Sequence, residues 1–289
     1  MLLVDRAGEV REVATRPTPF AARLGGGVEM DGRDFEGALA EVLSDLGPAR
    51  VEIAAVGVAG MAESGLPLAE GHPLGPIIAW YDGRGEDTVA GLVGALGPGL
   101  AHRIGQRVRS VSSVAKLGWL LGDGMPLPQR WLGVPEAGLF LLTDAEATEH
   151  SLAARTGAYD VATGTWIAEV TDFLGVAPDV FPSVAEAGTA MGAVSAEAAL
   201  RYGLPAGSPV TIAGHDHLAA AEGLGAGDDD LLNSVGTAET LLRRTATLPD
   251  LERAVELRLA VTVRPGGRGW VVLASATRSG LVLEQLAES

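Results

Sequence analysis

Residues 213–240, AGHDHLAAAEGLGAGDDDLLNSVGTAET, decide the fold. They are entered from an apolar, strand-like run, Pro209-Val210-Thr211-Ile212-Ala213, which Gly214 breaks. His215-Asp216-His217 follow, and an alanine-rich helix over residues 218–224 starts at once. A carboxylate between a strand end and a helix start lies where open α/β sheets place their ligands. A second strand-like run over residues 231–235 ends in Gly236-Thr237, whose backbone N–H groups and hydroxyl could face a phosphate. One short segment therefore offers a candidate base and a candidate phosphate turn.

Upstream, Phe35, Leu39, Val42, Leu43 and Leu46 recur at helical spacing, and Gly47-Pro48 stops that helix. Residues 51–59, VEIAAVGVA, are nearly all apolar and read as a strand buried on both faces, as in a parallel sheet. Helix followed by buried strand is an α/β signature. Gly60-Met61-Ala62-Glu63-Ser64 sits at the ligand end of that strand. Residues 76–80 read as a short strand ending in Tyr81-Asp82-Gly83-Arg84. Helices are expected over 87–96, 113–121, 131–143 and 167–174, with a surface hairpin over 156–166. Residues 188–194 read as a strand, followed by a helix over 195–202 capped by Ser195. At the N-terminus, residues 1–15 read as a hairpin whose Leu2-Leu3-Val4 arm needs a covering neighbour. Gly and Asp cluster over 225–230, which reads as a domain boundary; strands are expected over 231–242, 255–263 and 269–274, and a helix start over 280–286.

Each candidate has a structural alternative. Asp216 reads about equally as a general base and as an N-cap. His215 and His217 suggest a metal pair, but with no cysteine and no H-E-x-x-H spacing zinc is disfavoured, and no metal ligand is assigned. Gly223-x-Gly225-x-Gly227 echoes a dinucleotide fingerprint, yet it ends a helix rather than opening one and reads as a C-cap. Trp80, Asp82 and Arg84 line a polyol pocket or form a core Trp with a solvated ion pair. Glu63 contacts a sugar hydroxyl or is an exposed loop acid. Lys116, the only lysine, reads as a helix-surface charge.

Taken in order, these stretches resemble the FGGY family of carbohydrate kinases, of the actin/hexokinase/Hsp70-like ATPase superfamily. VGVAGMAESGLPL (56–68) is similar to the family's strand and substrate loop, and GHPLGPIIAWYDGR (71–84) to its G-R-P-L-x-P-x-I-x-W-x-D-x-R segment. AGHDH, GLGAG and NSVGTAE then follow in family order, with ASATRSG (274–280) near the end. The resemblance implies an α/β, actin/hexokinase-like (ribonuclease H-like) ATPase fold. It divides the chain into a sugar-binding domain over 1–227 and the beginning of a nucleotide-binding domain over 228–289. It implies ATP-dependent phosphorylation of a sugar or polyol, with a ketose such as a pentulose or hexulose favoured, and ATP with Mg²⁺ as cofactors. Asp216 takes the place of the catalytic base. Gly236 and Thr237 take the place of the turn that meets the ATP phosphates. Ala62, Glu63, Trp80 and Asp82 fall on positions that shape the sugar pocket, and a small Ala62 leaves the substrate's identity open.

The family pattern also has a strand and an Asp-x-Gly-Thr/Ser loop ahead of the hairpin, and a longer second domain with an adenine loop. On that pattern the chain reads as a truncated kinase that lacks the first strand, binds ATP poorly and need not turn over. The rival reading is a non-catalytic sugar-binding or regulatory remnant; an unrelated α/β hydrolase is disfavoured because no nucleophile elbow is present.

Composition sets the outer limits. The 289 residues are 47% hydrophobic and 20% charged, a globular balance. A net charge of −16 disfavours nucleic acid and anionic membrane as partners. No cysteine means no disulfide framework or thiolate chemistry. With no signal-like N-terminus, the cytoplasm is the expected location and a homodimer a possible assembly.

Overall fold

The computed structural model describes residues 1–24, 26–235 and 239–276. A hairpin, β1 (Leu2–Val4) and β2 (Val10–Val13), opens the chain; the Asp5 carboxylate accepts from the Ala7 and Glu9 amides in its turn. Then come β3 (Ala21–Ala22), β4 (Val28–Met30) and α1 (Gly32–Ser44), N-capped by Asp31. A 3-10 turn, Gly47–Glu52, leads into β5 (Val56–Gly60). Beyond it lie β6 (Gly65–Ala69), β7 (His72–Pro73), β8 (Ile77–Ile78), α2 (Glu86–Leu96), α3 (Gly99–Arg103) and α4 (Ser113–Gly122).

The middle of the chain holds β9 (Arg130–Gly133), α5 (Val134–Thr143), β10 (Ala147–Glu149) and α6 (His150–Ala153). The expected surface hairpin is β11 (Tyr159–Asp160) with β12 (Thr165–Trp166), followed by α7 (Ala168–Leu174) and β13 (Ser183–Ala185). Next are β14 (Gly192–Ala193) and α8 (Ala196–Tyr202), whose Ser195 cap accepts from Ala198 as its position predicts. Then β15 (Pro209–His215) runs directly into α9 (Asp216–Gly223). The chain continues through β16 (Leu232–Val235), β17 (Glu239–Thr245), α10 (Leu251–Glu256), β18 (Ala260–Val263) and β19 (Trp270–Ala276).

Two sheets frame the site. In the first, of order β14-β15-β5, β15 and β5 run parallel and end together, with His215 opposite Gly60. The second is antiparallel, of order β16-β17-β19-β18. A core of Leu43, Leu139, Leu142, Val210 and Ile212 packs α1, α5 and α8 on the first sheet. Leu218 and Ala221 of α9 instead pack on Leu242, Val271 and Leu273 of the second. The helix that starts at Asp216 is thus hydrogen-bonded into one sheet at its root and buried against the other along its length. At its far end Glu222 accepts from Arg264 at 2.6 Å and from Arg244 at 3.0 Å, pinning α9 to the second sheet.

Four local readings are corrected. Pro48 starts a 3-10 turn, so the strand read from residue 51 begins at Val56. It alternates half-buried and exposed positions rather than being buried on both faces, because β5 is a sheet edge with β15 on one side. Trp131 and Leu132, read as helical, lie in β9, which pairs with β6; Pro135 sets the helix start just after them. The strand read from 255 is preceded by α10, capped by Asp250 through the Arg253 amide. The expected helix at 280–286 lies outside the described residues.

Candidate active site

The parallel ends of β5 and β15 bring three sequence candidates together. Glu63 is not the exposed loop acid of its alternative reading. It is 6% exposed, and Arg155 donates to its Oε1 from Nε at 2.8 Å and approaches it with Nη2 at 2.7 Å. Burial, the largest influence, pushes the Glu63 carboxyl up, but the charges of Arg155 and His215 and the Arg155 hydrogen bond outweigh it and hold it below its usual range. Arg155 is fixed in turn by donating to Gln106 Oε1 at 2.9 Å. Ala62, beside Glu63, is buried and lines a small cavity of about 10 Å³ with Trp131, Glu136 and Thr148.

Asp216 is the first residue of α9, and the N-cap position belongs to His215. Its carboxylate accepts from the adjacent His217 amide at 2.7 Å and is otherwise half open to solvent, 51% exposed. His215 Nε2 lies 3.3 Å from Asp216 Oδ1, and burial lowers the affinity of that imidazole for a proton. The N-cap alternative therefore does not describe Asp216: the side chain reaches no N–H deeper in the helix. His217 Nδ1 pairs with Ser234 Oγ at 2.8 Å, holding β16 against the start of α9. Gly236 and Thr237, the expected phosphate turn, lie outside the described residues.

Asp82 joins this group through α4. Ser113 Oγ, in the first turn of α4, donates to Glu63 O at 3.1 Å. One turn on, Lys116 Nζ donates to the carbonyls of Asp82 and Arg84. One buried helix face thus grips both loops. Lys116 is fully buried, not a surface charge, and burial lowers its pKa to about 8. The Asp82 carboxylate is itself committed: it accepts from Val28 N at 2.6 Å and pairs with Arg84 at 2.8 Å, and Arg84 lies 4.6 Å from the Trp119 ring centre. Trp80 packs edge-on against Tyr81 at 5.4 Å. A concavity of about 900 Å³ opens beside Asp82, Arg84 and Trp119, and Asp216 does not line it.

Arg155, Lys116 and two further buried acids were not legible as site residues. Burial pushes Glu136 up to about 7; Thr148 donates to its Oε1, while Oε2 has no partner. Glu149 is fully buried at the end of β10. Their only sequence signal is an acid within an apolar or small-residue run, which does not distinguish a buried group from an exposed one.

The site thus holds one half-exposed carboxylate, Asp216, and a second, Glu63, that is buried and paired with Arg155. Among the described residues no group of three or more His, Asp or Glu side chains could hold a metal ion. No helix among them is long and apolar enough to cross a membrane.

Comparison with known proteins identifies the family. Residues 1–223 match the FGGY family of carbohydrate kinases, N-terminal domain. A xylulose kinase of Streptomyces rubiginosus is 30% identical over 255 residues, covering 86% of this chain and 52% of that protein. An L-fuculokinase of Escherichia coli K12 is 30% identical over 191 residues, covering 61% of this chain and 38% of that protein. The chain thus spans about half the length of the curated xylulose kinase it matches. The solved xylulose kinase of Rhodospirillum rubrum superposes with a TM-score of 0.87 at 27% identity, covering 99% of this chain and 60% of that one.

Proposed function

The chain belongs to the FGGY family of carbohydrate kinases, and from that premise we propose that it serves ATP-dependent phosphorylation of a sugar or polyol hydroxyl, with Asp216 as general base. Its fold is the α/β, actin/hexokinase-like ATPase fold that the ordered motifs imply. We divide it into a sugar-binding unit over 1–227 and a nucleotide-side unit over 228–289. A ketose is the favoured substrate, in keeping with the xylulose kinases among its relatives.

The observation that carries this reading is the state of Asp216. Glu63, Asp82, Glu136 and Glu149 are all buried, whereas Asp216 is half open and meets only an amide and two imidazoles. A base must be ionised and reachable by the proton it takes. The substrate hydroxyl gives its proton to Asp216. Its oxygen forms the new bond to the γ-phosphorus of ATP as the bond to the bridging oxygen breaks, and ADP leaves with that electron pair. Such a transfer relies on positioning and charge compensation more than on covalent help from the protein. On the family resemblance, Gly236 and Thr237 would meet the ATP phosphates. ATP is a co-substrate, and Mg²⁺ would arrive on its phosphates, where that ion usually keeps most of its ligands. Ala62, Glu63, Trp80 and Asp82 shape the sugar side, with Glu63 held by Arg155 to accept from a hydroxyl.

The test is phosphate transfer from Mg-ATP to a panel of ketoses and polyols, by the complete gene product and by its Asp216→Asn variant, with ligand-induced thermal shifts alongside. Transfer to one sugar, lost by about 10²–10⁴-fold in the variant, is the expected result. Transfer to no member of the panel, or an Asp216→Asn protein as active as wild type, sinks the proposal. A thermal shift with sugar but no transfer points to a non-catalytic sugar-binding protein instead.

A further inference from the structure

Glu149 is an unlikely place for an acid on local grounds. It is fully buried, burial raises its carboxyl above the usual range, and no arginine or lysine pairs with it among the described residues. Such a group is costly unless several donors converge on it. Three do. Ser151 N donates to Oε2 at 2.8 Å, Ser151 Oγ donates to Oε2 at 2.5 Å, and Gly266 N donates to Oε1 at 3.0 Å. The same Ser151 Oγ accepts from His215 N at 2.9 Å. These bonds make a relay: the 264–269 turn of the second sheet, Glu149, Ser151, and the backbone one residue before Asp216.

The packing around the relay leaves no slack. Gly214 has φ +120°, and a Cβ there would meet Ser151 Oγ at 2.8 Å, Pro265 Cγ at 3.1 Å and Glu149 Oε2 at 3.2 Å. The end of β15 is therefore pressed onto Ser151, Glu149 and Pro265 at once. All three of Glu149's partners are donors, so glutamine is not a substitute. Its amide would turn N–H groups toward an N–H or O–H, on one oxygen or the other. Only a carboxyl group presents two oxygens to these donors from two segments.

We propose that Glu149 is a positioning residue for Asp216: through Ser151 it clamps the backbone at His215 to the Gly266 turn, setting where the base points and tying it to the second sheet. The inference rests on the reading of Asp216 as the base, but its first test does not. That test is amide hydrogen exchange of the wild-type chain, Glu149→Gln and Ser151→Ala. Glu149→Gln should speed exchange at both His215 and Gly266 by about tenfold or more. Ser151→Ala keeps the carboxylate and its bond to Gly266, so it should speed His215 alone. In both variants the His215 and His217 imidazole resonances should move, which lowered stability by itself does not cause. Wild-type exchange at His215 in both variants overturns the proposal. So does uniformly faster exchange across the whole chain, the mark of a merely structural loss. If Glu149→Gln does not fold, Ser151→Ala decides alone.

Where the wild type transfers phosphate, both variants should lower kcat by about 100-fold while the KM for sugar stays within about twofold, because a misaimed base costs rate and not binding. An unchanged kcat overturns the positioning role. A wild type that transfers nothing defeats the kinase reading and leaves the exchange result to judge the relay.

Discussion

Two acids sit just beyond the ends of neighbouring parallel strands, and their surroundings are opposite. Glu63, after β5, is buried and locked onto Arg155. Asp216, after β15, is half open and has no guanidinium or ammonium partner among the described residues. The first is part of the architecture: its charge is compensated and its geometry is fixed. The second keeps the freedom a base needs. Position on the sheet makes both candidates; the pairing separates their roles.

The contrast can be broken most forcefully at Arg155. Arg155→Met leaves the buried Glu63 without its cation, and unfolding experiments should show a loss of about 3–5 kcal/mol. A loss under about 1 kcal/mol would mean that the pair is a surface-like contact, worth little. Glu136 sharpens the contrast from the other side, as a buried acid with no cation. Its folded pKa of about 7 lies above its ordinary 4.5, so the folded state holds a proton that the unfolded chain has released. That contribution is fully present below 4.5 and is lost as pH rises through about 7. Stability should therefore fall by about 3 kcal/mol across that window from this group, and Glu136→Gln should flatten the fall. Urea titrations of both proteins at intervals from pH 5 to 8 would read the difference; parallel curves would contradict it.

Lys116→Met comes next, with an expected cost of about 1–3 kcal/mol, because two loop carbonyls lose their donor. It should also weaken sugar binding, measured by calorimetry, since α4 holds the Asp82 and Glu63 loops together through Lys116 and Ser113. An unchanged affinity would remove α4 from the account of the pocket. The smallest effect on stability is expected at Asp216 itself. Asp216→Asn should leave the free energy of unfolding within about 0.5 kcal/mol of wild type, as for an exposed side chain. A large loss there would make Asp216 structural and erase the contrast with Glu63.

Much of this molecule was legible where one stretch decides its own state. The Ser195 cap, the helix from Glu86 to Leu96, the hairpin of Tyr159–Asp160 with Thr165–Trp166, and the glycine-rich end of α9 all follow from local periodicity and capping. Trp131 and Leu132 failed because an apolar run suits strand and helix alike, and only the pairing of β9 with β6 chose between them. The site divides in the same way. Asp216 and Glu63 stood out through their places at strand ends. Arg155, 92 residues from Glu63, carries no local mark of that partnership.

The sequence by itself determined the family, the α/β order of elements and the identity of the candidate base, because ordered motifs and strand-to-helix junctions are written in neighbouring residues. Tertiary structure alone decided which charges are buried and what they meet. Lys116 became an internal clamp, Glu63 a neutralised fixture, Glu136 a raised acid and Glu149 a relay between sheets. The reason is physical. Backbone conformation is chosen largely by nearby sterics and hydrogen bonds, whereas desolvation and charge pairing depend on groups that only folding brings within a few ångströms of one another.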